Sequence, residues 1–206
     1  MDKKSNYSNL IQIPLKKIKH LFFCSVFALL SVSIAFGQDK TTKLPIDPET
    51  NKITYSEVVL VDSVTTKQEL YLKAKEWFAH AFNSAQNVIQ FDDKESGKII
   101  GKGLISVGST LGPVKSSDNL GVVNFVVEIQ LKNGKYKYTF TDLWHDAQNS
   151  IYSPGDLRLE KPGGGLGSMG QKNWNGIKIQ TDNQINAMIK SLKTSMKSTN
   201  KNTDNW

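Results

Sequence analysis

One stretch constrains this fold more than any other: VVNFVVEIQL, then KNGK, then YKYTFTDLW, running from Val122 to Trp144. Two runs rich in β-branched and aromatic residues flank Asn133-Gly134, a pair suited to the positive φ angles of a two-residue hairpin turn. Pairing about that turn sets Leu131 opposite Tyr136, Ile129 opposite Tyr138 and Val127 opposite Phe140. On the other face Gln130 meets Lys137 and Glu128 meets Thr139. One face is core and the other is wet.

The remaining segments supply more strands and two helices. LPIDPETNKI places Pro45 and Pro48 around Asp47, a turn signal, and the β-branched run Ile53 to Val61 after it reads as the first strand. Thr66 and Glu69 form a capping-box signature. Leu70, Ala74, Trp77, Phe78, Ala81 and Ala85 then recur at helical spacing, which predicts an amphipathic helix over about 66–84 with its aromatics in the core. His80 falls on the polar flank as an ordinary surface histidine. NVIQFDD and KIIGKGLISV read as two strands joined through Lys94 to Gly97. Gly101 and Gly103 share one sheet face, leaving room for a close helix, a bent strand or a ligand. A second capping box, Thr181 with Gln184, precedes Ile185, Met188, Ile189, Leu192 and Met196 at helical spacing, which predicts a last helix from about 181 to 197. Lys190, Lys193 and Lys197 form its solvated side.

The front of the chain reads as a targeting peptide. Lys16, Lys17, Lys19 and His20 precede LFFCSVFALLSVSIAF, a 16-residue run without a charge, and Ala35 and Gly37 suit signal peptidase, so residues 1–37 form a signal peptide and the mature chain begins at Gln38. The run is short for a spanning helix, which wants ~20 apolar residues. Removing residues 1–37 takes away five lysines and one acid, so 26 basic and 19 acidic residues become 21 and 18, and the net charge falls from +7 to +3. That charge gives little support for a nucleic-acid surface or an electrostatic membrane anchor. Cys24, the single cysteine, leaves with the leader, which excludes disulfides, thiolate zinc sites and cysteine nucleophiles from the mature chain. A polar lead of residues 38–44, a single domain over 45–197 and a disordered tail of 198–206 complete the organisation.

Between about 143 and 176 the chain reads as a long irregular loop carrying Pro154, Pro162 and the stretch GLGSMG, Gly165 to Gly170. Its spacing fits G-x-G-x-x-G, but a dinucleotide site needs a buried strand before it and a helix at its last glycine. RLEKPG precedes it, and the predicted helix begins about a dozen residues later. A P-loop fails as well, because Gln171-Lys172-Asn173 follows Gly170. No cofactor is expected. Asp142 to Asp146, DLWHD, is the one compact group of metal-ligating types, yet adjacent strand residues point to opposite faces, so no metal is expected. No serine sits in a nucleophile elbow and no catalytic residue is nominated. Trp144, His145, Tyr152, Arg158 and Trp174 lie in or beside the loop, and Arg158 is the sole arginine. Aromatics with one arginine can form a recognition patch; equally, the tryptophans can pin the loop onto the sheet.

LPIDPETNKITYSEVVLVDSV, LYLKAKEWFAHAF and DDKESGKIIGKG together resemble a domain of unknown function with a TATA-binding-protein-like fold, found in exported proteins of Bacteroidetes-type bacteria. The resemblance runs best from Leu44 to Gly103. It implies an antiparallel sheet with two helices packed on one face, in agreement with the α+β order β-α-β-β-β-β-α read above. It supplies no catalytic residues and does not import DNA binding.

These readings lead to an exported, non-enzymatic binding or interaction module of the periplasm or outer envelope of a Gram-negative bacterium. Its expected partner is an envelope protein, a peptide, a glycan or a small apolar molecule. The alternative is a carrier of a small apolar ligand, with a cavity between sheet and helices near Gly101, Gly103, Val127, Ile129 and Met188. No nucleic acid and no stable membrane span are expected.

Overall fold

The computed structural model describes residues 42–108, 119–147, 155–159 and 167–197. The expected signal peptide, most of the polar lead, the expected tail, Tyr152 and Gly165 lie outside them. Five strands, β1 (Tyr55–Leu60), β2 (Ile89–Asp93), β3 (Lys98–Gly108), β4 (Asn119–Lys132) and β5 (Lys135–Asp146), form one sheet in the order β1-β5-β4-β3-β2. Every neighbouring pair is antiparallel. Helix α1 (Lys67–Ala81), the turn-length helix α2 (Ala85–Val88) and helix α3 (Gly167–Lys197) complete the order. The expected α+β architecture is the observed one, and the sheet is covered by α1 and α3 on one face.

The central hairpin has the register its sequence demands: Leu131 pairs with Tyr136, Ile129 with Tyr138 and Val127 with Phe140. All six side chains are buried. At the turn only Gly134 takes a positive φ, 71°. Asn133 instead accepts a hydrogen bond on its side-chain oxygen from the Lys67 N–H at 2.8 Å, and Gly134 N–H donates to Thr65 O at 2.9 Å. The tip is thereby tied to the first turn of α1. That helix starts where the capping box places it: Glu69 N–H donates to Thr66 Oγ1 at 3.2 Å, and Thr66 N–H donates to the Glu69 carboxylate at 2.7 Å. Leu70, Ala74, Trp77 and Phe78 form its buried stripe, while His80 is exposed, 3.7 Å from Glu76.

Gly101 and Gly103 have the close-packing role. A Cβ on Gly101 would stand 2.7 Å from a Phe78 ring atom, and one on Gly103 would stand 2.4 Å from a Phe125 ring atom. Val127 and Ile129 are fully buried beside them. The space that a carrier cavity needed at these glycines is filled by aromatic rings.

The last third departs from expectation. The stretch read as a loop through residue 176 contains the first third of α3, which begins at Gly167 and runs 31 residues. Thr181 is no N-cap; it sits buried mid-helix, its hydroxyl donating to Ile177 O at 2.8 Å. Serine and threonine make this backward bond within helices as readily as they cap them, which is why the box misleads. Glycines and asparagines are poor helix formers, so the segment before Thr181 is held by contacts. Trp174, Ile177 and Lys178 are buried. The Gln180 side chain accepts from Gly108 N–H at 3.1 Å and donates to Gly108 O at 2.9 Å, fastening α3 to the end of β3. Tyr55 OH donates to Asp182 at 2.8 Å. Tertiary packing supplies here what propensity does not.

GLGSMG therefore does run into a helix, contrary to the sequence expectation. The dinucleotide reading fails on topology instead: that motif belongs to a parallel β-α-β unit, and this sheet is antiparallel throughout.

Candidate functional site

A β-bulge decides which candidate residues meet. Val126 pairs with Thr141 but Asn124 pairs with Trp144, so β5 carries one extra residue between them. Asp142 sits there with φ 54°. A bulge of one residue exchanges the two faces of everything beyond it. Tyr136, Tyr138 and Phe140 point inward before it; after it Leu143, His145 and Ala147 are buried, and Trp144 turns outward, 50% exposed. An unbroken strand would have buried Trp144.

The four described residues of the proposed recognition patch accordingly separate, Tyr152 lying outside the described residues. His145 and Trp174 meet in the core, ring centroids 5.6 Å apart and edge to face. Trp144 and Arg158 both line an open surface cleft of about 460 Å³. The metal idea for DLWHD dissolves in the same geometry. His145 faces in while Asp142 faces out to Lys52, their charged atoms 2.6 Å apart. Among the described residues no group of three metal-ligating side chains occurs.

The cleft is assembled from three parts of the chain. One wall is the proline-bounded turn: Glu49 and Thr50 N–H groups both donate to the Asp47 side chain at 2.9 Å, and Asn51 follows with φ 54°. This turn presents Thr50, the Asn51 carbonyl and Lys52. The bulged end of β5 supplies Asp142, Leu143 and Trp144, with Ile53 beneath. The third part is residues 155–159, held by a bridge in which His145 and Gly155 exchange backbone bonds of 3.3 and 3.1 Å. From it Arg158 reaches across: its Nε donates to Asp156 at 2.6 Å and its Nη1 to Asn51 O at 2.6 Å. The guanidinium holds the Asp156 carboxyl below its ordinary range.

Each cation in the cleft is thus matched by an acid, Lys52 by Asp142 and Arg158 by Asp156. What remains is a neutral surface rich in donors and acceptors beside one exposed indole. Sequence reasoning found Trp144 and Arg158 but not Lys52 or Asp156. Lys52 and Asp142 lie 90 residues apart, and no local pattern announces such a pair.

Beneath the cleft, His145 is a structural histidine. It is fully buried; Nε2 lies 2.7 Å from Leu120 O and acts as the donor to that carbonyl. Nδ1 has no partner among the described residues. Burial pushes the imidazole pKa down, so the native state resists a proton that the unfolded chain takes up near pH ~6.5. The stability this supplies is fully present above that pH and is lost as pH falls below it toward the depressed native value. The folding free energy should therefore fall as the pH drops below about 6.5, with a slope of at most ~1.4 kcal/mol per pH unit, while His145→Gln flattens this dependence. An equal slope in the variant would contradict the assignment.

Fold and site together define an α+β domain of TBP-like topology with an open surface cleft. Residues 55–145 match a domain of unknown function with TBP-like fold, DUF4468. The matched stretch includes Trp144 and His145 and stops short of Arg158 and Trp174. Two solved structures are similar. A TBP-like protein from Parabacteroides distasonis shows 12% identity and a TM-score of 0.50, covering 72% of this chain and 96% of its own. A DUF4468 family protein from Bacteroides ovatus shows 12% identity and a TM-score of 0.54, covering 77% and 92%. At that identity the likeness shows the fold alone. No curated protein matches the chain.

Proposed function

We propose that the protein is an exported, non-enzymatic binding module of the cell envelope, and that a neutral glycan is its ligand. The observation that carries this reading is the half-exposed Trp144 bordering a cleft whose charges cancel. A flat aromatic face takes the C–H side of a sugar ring, while a few fixed polar groups orient the hydroxyls. An anionic ligand would want an uncompensated cation, and an apolar one a drier pocket. Trp144 also shares a sheet row with Asn124 and Leu104, and Leu104 is 59% exposed. The row extends the platform across three strands.

The same geometry argues against glycoside hydrolysis in spite of the two carboxylates. A glycosidase keeps one carboxyl protonated to serve the leaving group. Asp156 is instead held ionised by Arg158, and Asp142 is engaged by Lys52.

Calorimetric titration of the processed chain with short neutral oligosaccharides should give saturable binding, accompanied by a change in indole fluorescence. Trp144→Ala should weaken it at least tenfold, an effect of ~1.4 kcal/mol or more, and leave the thermal midpoint near wild type because the side chain is half exposed. No binding across neutral sugars would remove the glycan reading, and release of new reducing ends would remove the non-enzymatic one. Export is checked separately: N-terminal sequencing of protein from the envelope fraction should begin at Gln38, and retention of Met1 would overturn it.

A further inference from the structure

A second surface lies at the other end of the sheet. On the face away from the helices, Leu60, Lys135 and Lys132 form one row across β1, β5 and β4, and Val58, Lys137 and Gln130 form the next. Leu60 is 75% exposed, Val58 56%, and Val64, on the loop that wraps the hairpin tip, 79%. The lysines are exposed as well. Among the described residues none of Lys132, Lys135 and Lys137 forms an ion pair. The charge of Lys137 is the smallest of the effects that lower the Asp47 carboxyl below its ordinary range. Asp62, beside the patch, is occupied locally as the acceptor of the Val64 N–H at 3.2 Å. Three lysines without an ion pair thus flank Leu60 and Val58, with Val64 on the far side of Leu60, a concentration that the modest net charge of the chain conceals.

We propose that this end of the sheet docks peripherally on an anionic phospholipid surface. Leu60 and Val64 enter the boundary between headgroups and acyl chains, and Lys132, Lys135 and Lys137 meet the lipid phosphates. Long lysine stems lie along apolar surface while their charged heads stay wet, as an interface requires. Charge complementarity selects this occupant over a second copy of the chain, because placing the patch on itself would set lysine against lysine. The attachment is superficial: no described helix is long and apolar enough to cross a membrane. The glycan cleft is formed by other residues, so the two surfaces act independently.

Co-sedimentation of the processed chain with vesicles tests this. Binding to phosphatidylglycerol-containing vesicles should exceed binding to phosphatidylcholine vesicles and fall with added salt, since exposed charges are screened within ~10 Å at 0.1 M. Lys135→Gln should reduce it roughly fivefold, the weight of one lysine near such a surface. Leu60→Ser with Val64→Ser should remove most of the remainder at an unchanged thermal midpoint, and Trp144→Ala should bind vesicles as wild type does. Equal binding to both vesicle types, or full binding by the serine variant, overturns the proposal. So does lipid-free dimerisation that the serine variant abolishes, which would make the patch a self-interface, or binding to polyglutamate as tight as to the anionic vesicles, which would make it a site for acidic protein.

Discussion

Trp77→Ala should lose about 3–5 kcal/mol of folding stability, while Trp77→Phe should lose no more than ~1.5. The indole is 1% exposed and stands where α1 meets the sheet. Its ring lies edge-on to Phe78 at 5.0 Å, Phe82 at 5.8 Å and Phe140 at 6.5 Å. Alanine would open a cavity walled by three aromatics that are themselves fixed by the backbone, so collapse is limited. Phenylalanine keeps most of the ring contacts and also removes a liability: Trp77 Nε1 is buried without a hydrogen-bond partner among the described residues. A buried unsatisfied N–H costs ~1–3 kcal/mol, which offsets part of the volume lost. Chemical denaturation of both variants decides the matter. Equal losses for alanine and phenylalanine would mean that the indole nitrogen finds a partner after all.

What sequence reveals and what it hides divides along physical lines. The hairpin register and the start of α1 are local: a turn pair, an alternation of period two and a capping box all lie within a few residues of what they specify. They were legible to the residue. Asp142 was not. Nothing in YKYTFTDLWHD signals that the strand gains a residue there, because a non-glycine bulge is stabilised by partners elsewhere, here Lys52. Yet that single insertion exchanges Trp144 and His145 between surface and core and so determines which of them can touch a ligand. The first half of α3 was hidden for a related reason. Its composition argues for a loop, and only the burial of Trp174 and Ile177 and the bonds of Gln180 to Gly108 make it helical. Local rules fail where long-range contacts override them.

Trp174→Ala should be the variant that links stability to the site, losing about 3–5 kcal/mol and, at ~2–4 °C per kcal/mol for a domain of this size, roughly 6–20 °C in thermal midpoint. Trp174 is 2% exposed and is not one of the residues lining the cleft, but it holds the segment that supplies Arg158. Its Nε1–H donates to Leu159 O at 2.9 Å. Its ring leaves room only for glycine at position 155, where a Cβ would stand 2.8 Å from Cη2, and its edge-to-face contact with His145 backs the bridge between His145 and Gly155. Without the indole, the strip carrying Asp156 and Arg158 loses its footing. Glycan affinity should then fall together with stability, even well below the new midpoint. Trp174→Phe separates the two contributions: the ring packing largely remains, Lys178 Nζ still donates to Leu159 O at 2.5 Å, and the loss should be near ~1 kcal/mol, the net worth of one hydrogen bond. Calorimetry and oligosaccharide titration on the three proteins provide the readout. If Trp174→Ala lowered the midpoint but kept full affinity, the strip would be held by other contacts and Arg158 would not depend on this tryptophan.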